Sequence, residues 1–162
     1  MIYFSLTGRT AKVAGLIERY IVCDTERIIT VTPYPDDEVL VHRLVREKGP
    51  LHRPKIRKLN HDISRYGIVI LGMPIWNNGI PAPMMSFIES VDWRGIKVHP
   101  FFTSGGLYVN AYSQLQQTCK GAGITDPLYI IFNNKGELVQ IKEDQLGYSC
   151  VAPPGSAKAL LL

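Results

Sequence analysis

Long apolar runs are missing from this chain. The longest, Ile68–Ile75, is broken by Gly72 and Pro74 and falls far short of the roughly 20 residues a membrane-spanning helix needs. No membrane association is expected. Cysteine is scarce: Cys23, Cys119 and Cys150 are widely spaced and odd in number. Without a CxxC or a Cys/His spacing there is no sign of a disulfide framework or a zinc site, and free thiols in a reducing compartment are expected. A basic leader followed by an apolar core is absent after Met1, so the cytoplasm is the default compartment. Internal repeats and low-complexity tracts are absent too. No Ser/His/Asp or Cys/His arrangement and no carboxylate pair stands out, so no catalytic residue and no metal ligand is assigned. His42, His52 and His61 fall in a basic stretch where surface residence is the default, and His99 sits in a predicted strand as a structural histidine.

Charge of one sign is not in large excess. The net charge is +4 and the pI near 9.0, enough to attract acidic partners. The cations gather between Arg43 and Arg65, in a stretch with no interleaved aromatic residue. That pattern argues against nucleic-acid binding and for a solvated loop and helix face.

What is present is an ordinary soluble composition, 46% hydrophobic and 20% charged over 162 residues. This predicts one domain, residues 1–162, with its own core. Ile2–Ser5 reads as a first strand. Val13, Leu16, Ile17, Tyr20 and Ile21 follow at helical spacing. Ile28–Val31 is β-branched and predicts a second strand, stopped at Pro33 and Pro35. Asp36 and Asp37 mark a helix start, with Val39, Leu40, Leu44 and Val45 as a partial stripe up to Lys48. Residues 51–65 read as a surface connection with a short helical turn.

Gly67–Gly72 is a continuous apolar run of the kind buried on both faces of a parallel sheet. Met84, Phe87, Ile88 and Val91 predict the next helix. Lys97–Thr103 predicts a fourth strand, Tyr112, Leu115, Cys119 and Ala122 a further helix, and Leu128–Phe132 a fifth strand. Strand–helix alternation at this spacing implies a parallel sheet with helices on both faces. Asn133-Asn134-Lys135-Gly136 is a turn signal that would fold Leu128–Ile141 into a hairpin. The segment 133–162 is atypical, and no structure is assigned to its tail.

Three loops fall at the carboxyl edge of this sheet, where open α/β folds bind ligands. The first, Ser5-Leu6-Thr7-Gly8-Arg9-Thr10, joins a strand to an amphipathic helix. A helix N-terminus offers unpaired N–H groups and partial positive charge. Gly8 permits close backbone approach, and Ser5, Thr7 and Thr10 add hydroxyl donors. A simple capping turn needs fewer hydroxyls, so a phosphate nest is favoured. Neither GxxxxGK[ST] nor GxGxxG is present, which argues against a nucleoside triphosphate or a dinucleotide. The second loop holds Pro74, Ile75, Trp76, Asn77, Asn78 and Gly79. Its Trp76 either stacks on a flat heteroaromatic ligand or packs on its own loop. The third, Thr103-Ser104-Gly105-Gly106, allows tight backbone approach. Alone it is more often a plain turn. Tyr108 follows as a weaker ring-stacking candidate. A phosphorylated aromatic ligand would use all three loops at once.

These residues resemble a known family. Tyr3-Phe4-Ser5-Leu6-Thr7-Gly8-Arg9-Thr10 is similar to the flavodoxin phosphate signature [TS]-x-T-G-x-T with its preceding strand. Leu71-Gly72-Met73-Pro74-Ile75-Trp76 is similar to the second flavin loop, and Pro100–Gly106 to the third strand and loop of the bacterial group. The resemblance spans about Met1 to Phe132. It implies a flavodoxin-like doubly wound five-stranded parallel sheet of order 2-1-3-4-5, with flavin mononucleotide (FMN) as cofactor.

By that resemblance Ser5, Thr7, Gly8, Arg9 and Thr10, with Leu6 in the same loop, hold the phosphate. Pro74, Ile75, Trp76, Asn77 and Gly79 border the isoalloxazine, and the Asn77-Asn78-Gly79 turn supplies a peptide near the flavin N5. Thr103, Ser104, Gly105 and Gly106 complete the pocket, with Tyr108 beside them. The implied function is electron transfer between redox partner proteins, a reductase and an acceptor. The alternative is an FMN-dependent oxidoreductase acting on NAD(P)H or a quinone. Two features depart from the family pattern: the chain is basic where flavodoxins are acidic, and its C-terminal part lacks a recognisable fifth helix.

Overall fold

A computed structural model of the chain describes residues 1–35, 37–106, 110–143 and 148–150. Tyr108 and the tail from residue 151 lie outside them. The elements in chain order are β1 (Ile2–Tyr3), α1 (Arg9–Glu18), β2 (Glu26–Arg27), α2 (Glu38–Lys48), a 3-10 turn (Ile63–Arg65), β3 (Ile68–Pro74), α3 (Ala82–Ile88), β4 (Lys97–Ser104), α4 (Ala111–Thr118), β5 (Gly123–Ile124), β6 (Leu128–Phe132), β7 (Leu138–Glu143) and β8 (Tyr148–Cys150).

The strands form one sheet of order β2-β1-β3-β4-β6-β7-β8, with the short β5 also pairing β4. From β2 to β6 all pairings are parallel. Leaving out β5, this is the expected 2-1-3-4-5 order. The last two strands pair antiparallel. They extend the edge where the five-stranded plan would stop, and the predicted hairpin is formed by β6 and β7.

Alternation along the strands sorts side chains between two layers. Val69, Leu71, Met73, Val98, Phe102 and Tyr129 join the larger cluster, with Met84, Phe87 and Ile88 of α3 and Leu115 of α4. Ile70, Phe101 and Ile130 join a second cluster with Val13, Ala14 and Ile17 of α1. The helices therefore cover both faces. Gly72 is opposite Phe101 in the β3–β4 register, and a Cβ there would lie 2.1 Å from Phe101 Cζ. The glycine thus makes room for an aromatic ring rather than for a ligand.

The structure corrects several sequence expectations. The second strand pairs β1 at Glu26–Arg27, before the β-branched run. Residues 29–31 face the other way along the edge: Val31 N–H donates to Lys55 O and Arg57 N–H to Ile29 O. Segment 55–57 thus pairs with a stretch that would otherwise be an open edge. In α2 the buried residue is Val41, whereas Val39 and Leu40 are exposed. Asp37 caps this helix, its carboxylate accepting from Val39 N–H and Leu40 N–H. Tyr20 and Ile21 fall beyond α1 and are exposed. His99 Nδ1 lies 3.1 Å from Thr125 Oγ1, as suits a structural histidine. Among the described residues no helix is long and apolar enough to cross a membrane.

A candidate ligand cleft at the carboxyl edge of the sheet

β1 gives way to the loop that opens α1, and Gly8 makes the turn. Its φ of 86° is left-handed, a conformation open to glycine without Cβ strain. Gly8 is the N-cap of α1, with no side-chain cap and no acid in the first turn. The partial positive charge of the helix start is therefore not met by a carboxylate of its own. Ser5 is buried, and its Oγ accepts from Ala11 N–H at 3.2 Å. The Arg27 guanidinium donates to the Ser5 carbonyl at 2.5 Å. Both bonds fix the loop from beneath.

The loops are joined to one another. Thr10 Oγ1 lies 2.8 Å from Thr103 Oγ1, and both residues are buried. Ile75 N–H donates to Thr103 O at 3.0 Å. Thr103 thus links the start of α1 to the end of β3.

Between them lies a cavity of about 250 Å³ lined by Leu6, Thr7, Arg9, Thr10, Val41, His42, Pro74, Ile75, Trp76, Thr103, Ser104 and Gly105. Among the described residues no acid is in that lining, and Arg9 is. One of the two paired threonine hydroxyls donates to the other, so the acceptor keeps its own proton for a third group. A helix start, a guanidinium and a hydroxyl pair thus meet at one cavity, and groups of these kinds can receive an anion.

The three predicted loops therefore meet, but not every residue in them faces the cavity. Ser5 and Gly8 support the loop from behind. Asn77, Asn78 and Gly79 line a separate groove of about 560 Å³ with Arg46, Arg53, Met85, Asn110 and Gln114. Gly106 lines neither cavity, and Tyr108 is outside the described residues. Trp76 is not an exposed stacking surface: it is 9% exposed and belongs to the core. Its ring meets Phe4 and Tyr34 edge-on, with centroids 5.2 and 5.3 Å away. It borders both the cavity and the groove. Burial pushes the Tyr34 phenol up, and its hydroxyl oxygen is buried with no partner among the described residues.

Sequence reasoning missed Val41 and His42. A signal was available, because α2 follows β2 and starts at the same edge of the sheet as the three loops. A residue one turn past the Asp37 cap falls beside the cavity. His42 is exposed, as a solvated face implies, and also borders the cavity.

The flavodoxin family model matches residues 1–139. Solved structures agree. A chain assigned as a flavoprotein from Bacteroides eggerthii is 28% identical, with a TM-score of 0.69 over 79% of this chain and 84% of that one. Another from Bacteroides uniformis is also 28% identical, with a TM-score of 0.68 over 82% and 88%. A flavoprotein of Lactobacillus acidophilus in complex with FMN shares the fold at 23% identity, with a TM-score of 0.67 over 79% of this chain and 89% of that one. No curated protein matches the sequence.

Proposed function

Because the chain belongs to the flavodoxin family, we propose that it binds FMN in the cleft and passes single electrons between partner proteins. The observation that carries this reading is the cleft at the start of α1, which holds Thr7, Arg9 and the Thr10–Thr103 pair and no acid among the described residues, and is walled by Trp76, Pro74 and Ile75. The solved FMN complex of the Lactobacillus protein, which has the same fold, is consistent with it.

The residues present fit the group. Thr7, the Arg9 guanidinium and the start of α1 would take the phosphate, with the Thr10–Thr103 pair offering a further proton. Pro74, Ile75 and Trp76 would border one part of the ring, and Thr103, Ser104 and Gly105 another. When bound, the flavin supplies reversible electron uptake, and the protein supplies orientation and electrostatics. A cavity of about 250 Å³ lies below the roughly 300–1,000 Å³ of pockets that enclose small molecules. Part of the ligand would therefore stay at the surface, where a partner protein can approach.

A second reading, an FMN-dependent oxidoreductase acting on NAD(P)H or a quinone, is favoured by one feature. The groove of about 560 Å³ beside Trp76 has room for another molecule. Anaerobic mixing of the FMN-loaded protein with NAD(P)H separates the two: direct bleaching selects the enzyme, and no change without a reductase selects the carrier.

The site itself is tested by FMN and riboflavin titrations of the Thr7→Val/Gly8→Ala variant. Loss of charge-assisted bonds to the phosphate should weaken FMN about tenfold or more, with riboflavin little changed. Equal weakening of both ligands counts against a phosphate site at this loop.

A further inference from the structure

The turn after β3 is closed from within and tied from outside. Trp76 N–H donates to Gly79 O at 3.0 Å, and Gly79 N–H to Trp76 O at 2.9 Å. The two residues between, Asn77 and Asn78, have φ of 46° and 65°. These are the dihedrals of a two-residue hairpin turn, and asparagine tolerates them better than most residues. The outer constraint comes from a distant part of the chain. Gln114, on the first turn of α4, accepts the Ile80 N–H through its Oε1 at 2.9 Å. The same oxygen lies over Gly79, where a Cβ would come within 2.8 Å of it. Gln114 thus clamps the end of the turn, while Phe4 and Tyr34 pack edge-on against the Trp76 ring.

We propose that Gln114 is a positioning residue for the cofactor cleft. Its amide oxygen fixes the 76–79 turn, and through that turn the part of Trp76 that borders the cleft. This rests on the FMN reading above. Gln114 touches neither the ring nor the phosphate. Its bond falls on the ring side, whereas the phosphate loop has its own ties to Thr103 and Arg27. A side chain of similar length without an acceptor frees the Ile80 N–H. A carboxylate of the same length keeps the acceptor.

The test compares Gln114→Leu with Gln114→Glu. In the flavin-free chain, hydrogen exchange at the Ile80 amide should quicken about tenfold in Gln114→Leu, the size set by one net hydrogen bond. It should stay slow in Gln114→Glu, and β3 amides should keep their protection in both. In flavin titrations Gln114→Leu should weaken FMN and riboflavin by the same factor, about three- to tenfold. Its bound-flavin absorption bands should also shift. Gln114→Glu should restore affinity. If the parent binds both flavins and Gln114→Leu matches it in exchange and affinity, the proposal is overturned alone. Weakening of FMN without riboflavin overturns it too, since the effect would then lie at the phosphate. If the parent takes up neither flavin, the FMN reading falls and the proposal with it.

Discussion

Replacing Thr103 by valine should cost more than the loss of one hydroxyl suggests. Valine has nearly the same shape, so packing against β3 and β6 is kept. What changes is the partner of Thr10, whose Oγ1 lies 2.8 Å from Thr103 Oγ1 in a buried pair. In the single variant the Thr10 hydroxyl remains buried without its partner. An unpaired buried polar group of this kind costs about 1–3 kcal/mol. In a chain of this length each kcal/mol lowers the thermal midpoint by about 2–4 °C. The double variant Thr10→Val/Thr103→Val removes both groups and leaves nothing unpaired, so it should return close to the parent. Urea denaturation of the flavin-free protein measures all four corners of the cycle, with unchanged m-values as the check on two-state behaviour. The double variant should still bind FMN less well than the parent, because the proton the pair offers the cavity is gone. A single variant as stable as the parent, or a double variant as unstable as the two singles added, would refute the buried link.

Two further outcomes concern the scaffold. Gly72→Ala should lower the thermal midpoint sharply, since the new Cβ would lie 2.1 Å from Phe101 Cζ and overpacking typically costs about 1–3 kcal/mol or more. Phe101→Leu in the same chain should recover part of the loss. Glu26 governs a pH effect. Burial raises its carboxyl, but N–H donation from Asn60 and His61 and the His61 ring outweigh it and hold the group below its ordinary 4.5. A lowered folded value means the stabilisation is complete above the unfolded value and is lost as pH falls through the folded one. The gap in urea midpoint between the parent and Glu26→Gln should therefore be widest near neutrality and close below pH 4.5. A gap that does not change with pH would show that Glu26 acts through shape alone.

The alternation of strands and helices, and the placing of the three loops at one sheet edge, could be read from local signals, whereas the strand order came from the family resemblance. The signals were apolar runs ended by Gly, Pro or Ser and helices with one apolar stripe. What could not be read depended on contacts between distant segments. The β-branched residues 28–31 suit a parallel strand or an antiparallel edge equally, and only the return of residues 55–57 decides between them. Trp76 is a core residue because Phe4 and Tyr34 happen to flank it, and neither is near it in sequence. The role of Gln114 depends on α4 docking beside a turn 34 residues earlier. His42 is exposed as its basic surroundings suggested, and only its place one turn into α2 adds that it borders the cavity.

The antiparallel pair at the end of the sheet alters how the protein can diversify. β6 runs parallel to β4, so the reversal that leads into β7 must fall at the edge where the loops gather. A Cβ on Gly136, in that reversal, would lie 3.9 Å from Arg9 Nε. A crossover helix in the same place would carry the chain away to the opposite rim. With a hairpin, a few inserted residues lengthen the loop next to the cleft and leave every buried strand untouched. Descendants of this chain could thus acquire a flap or a new specificity by changing the length of one surface bend.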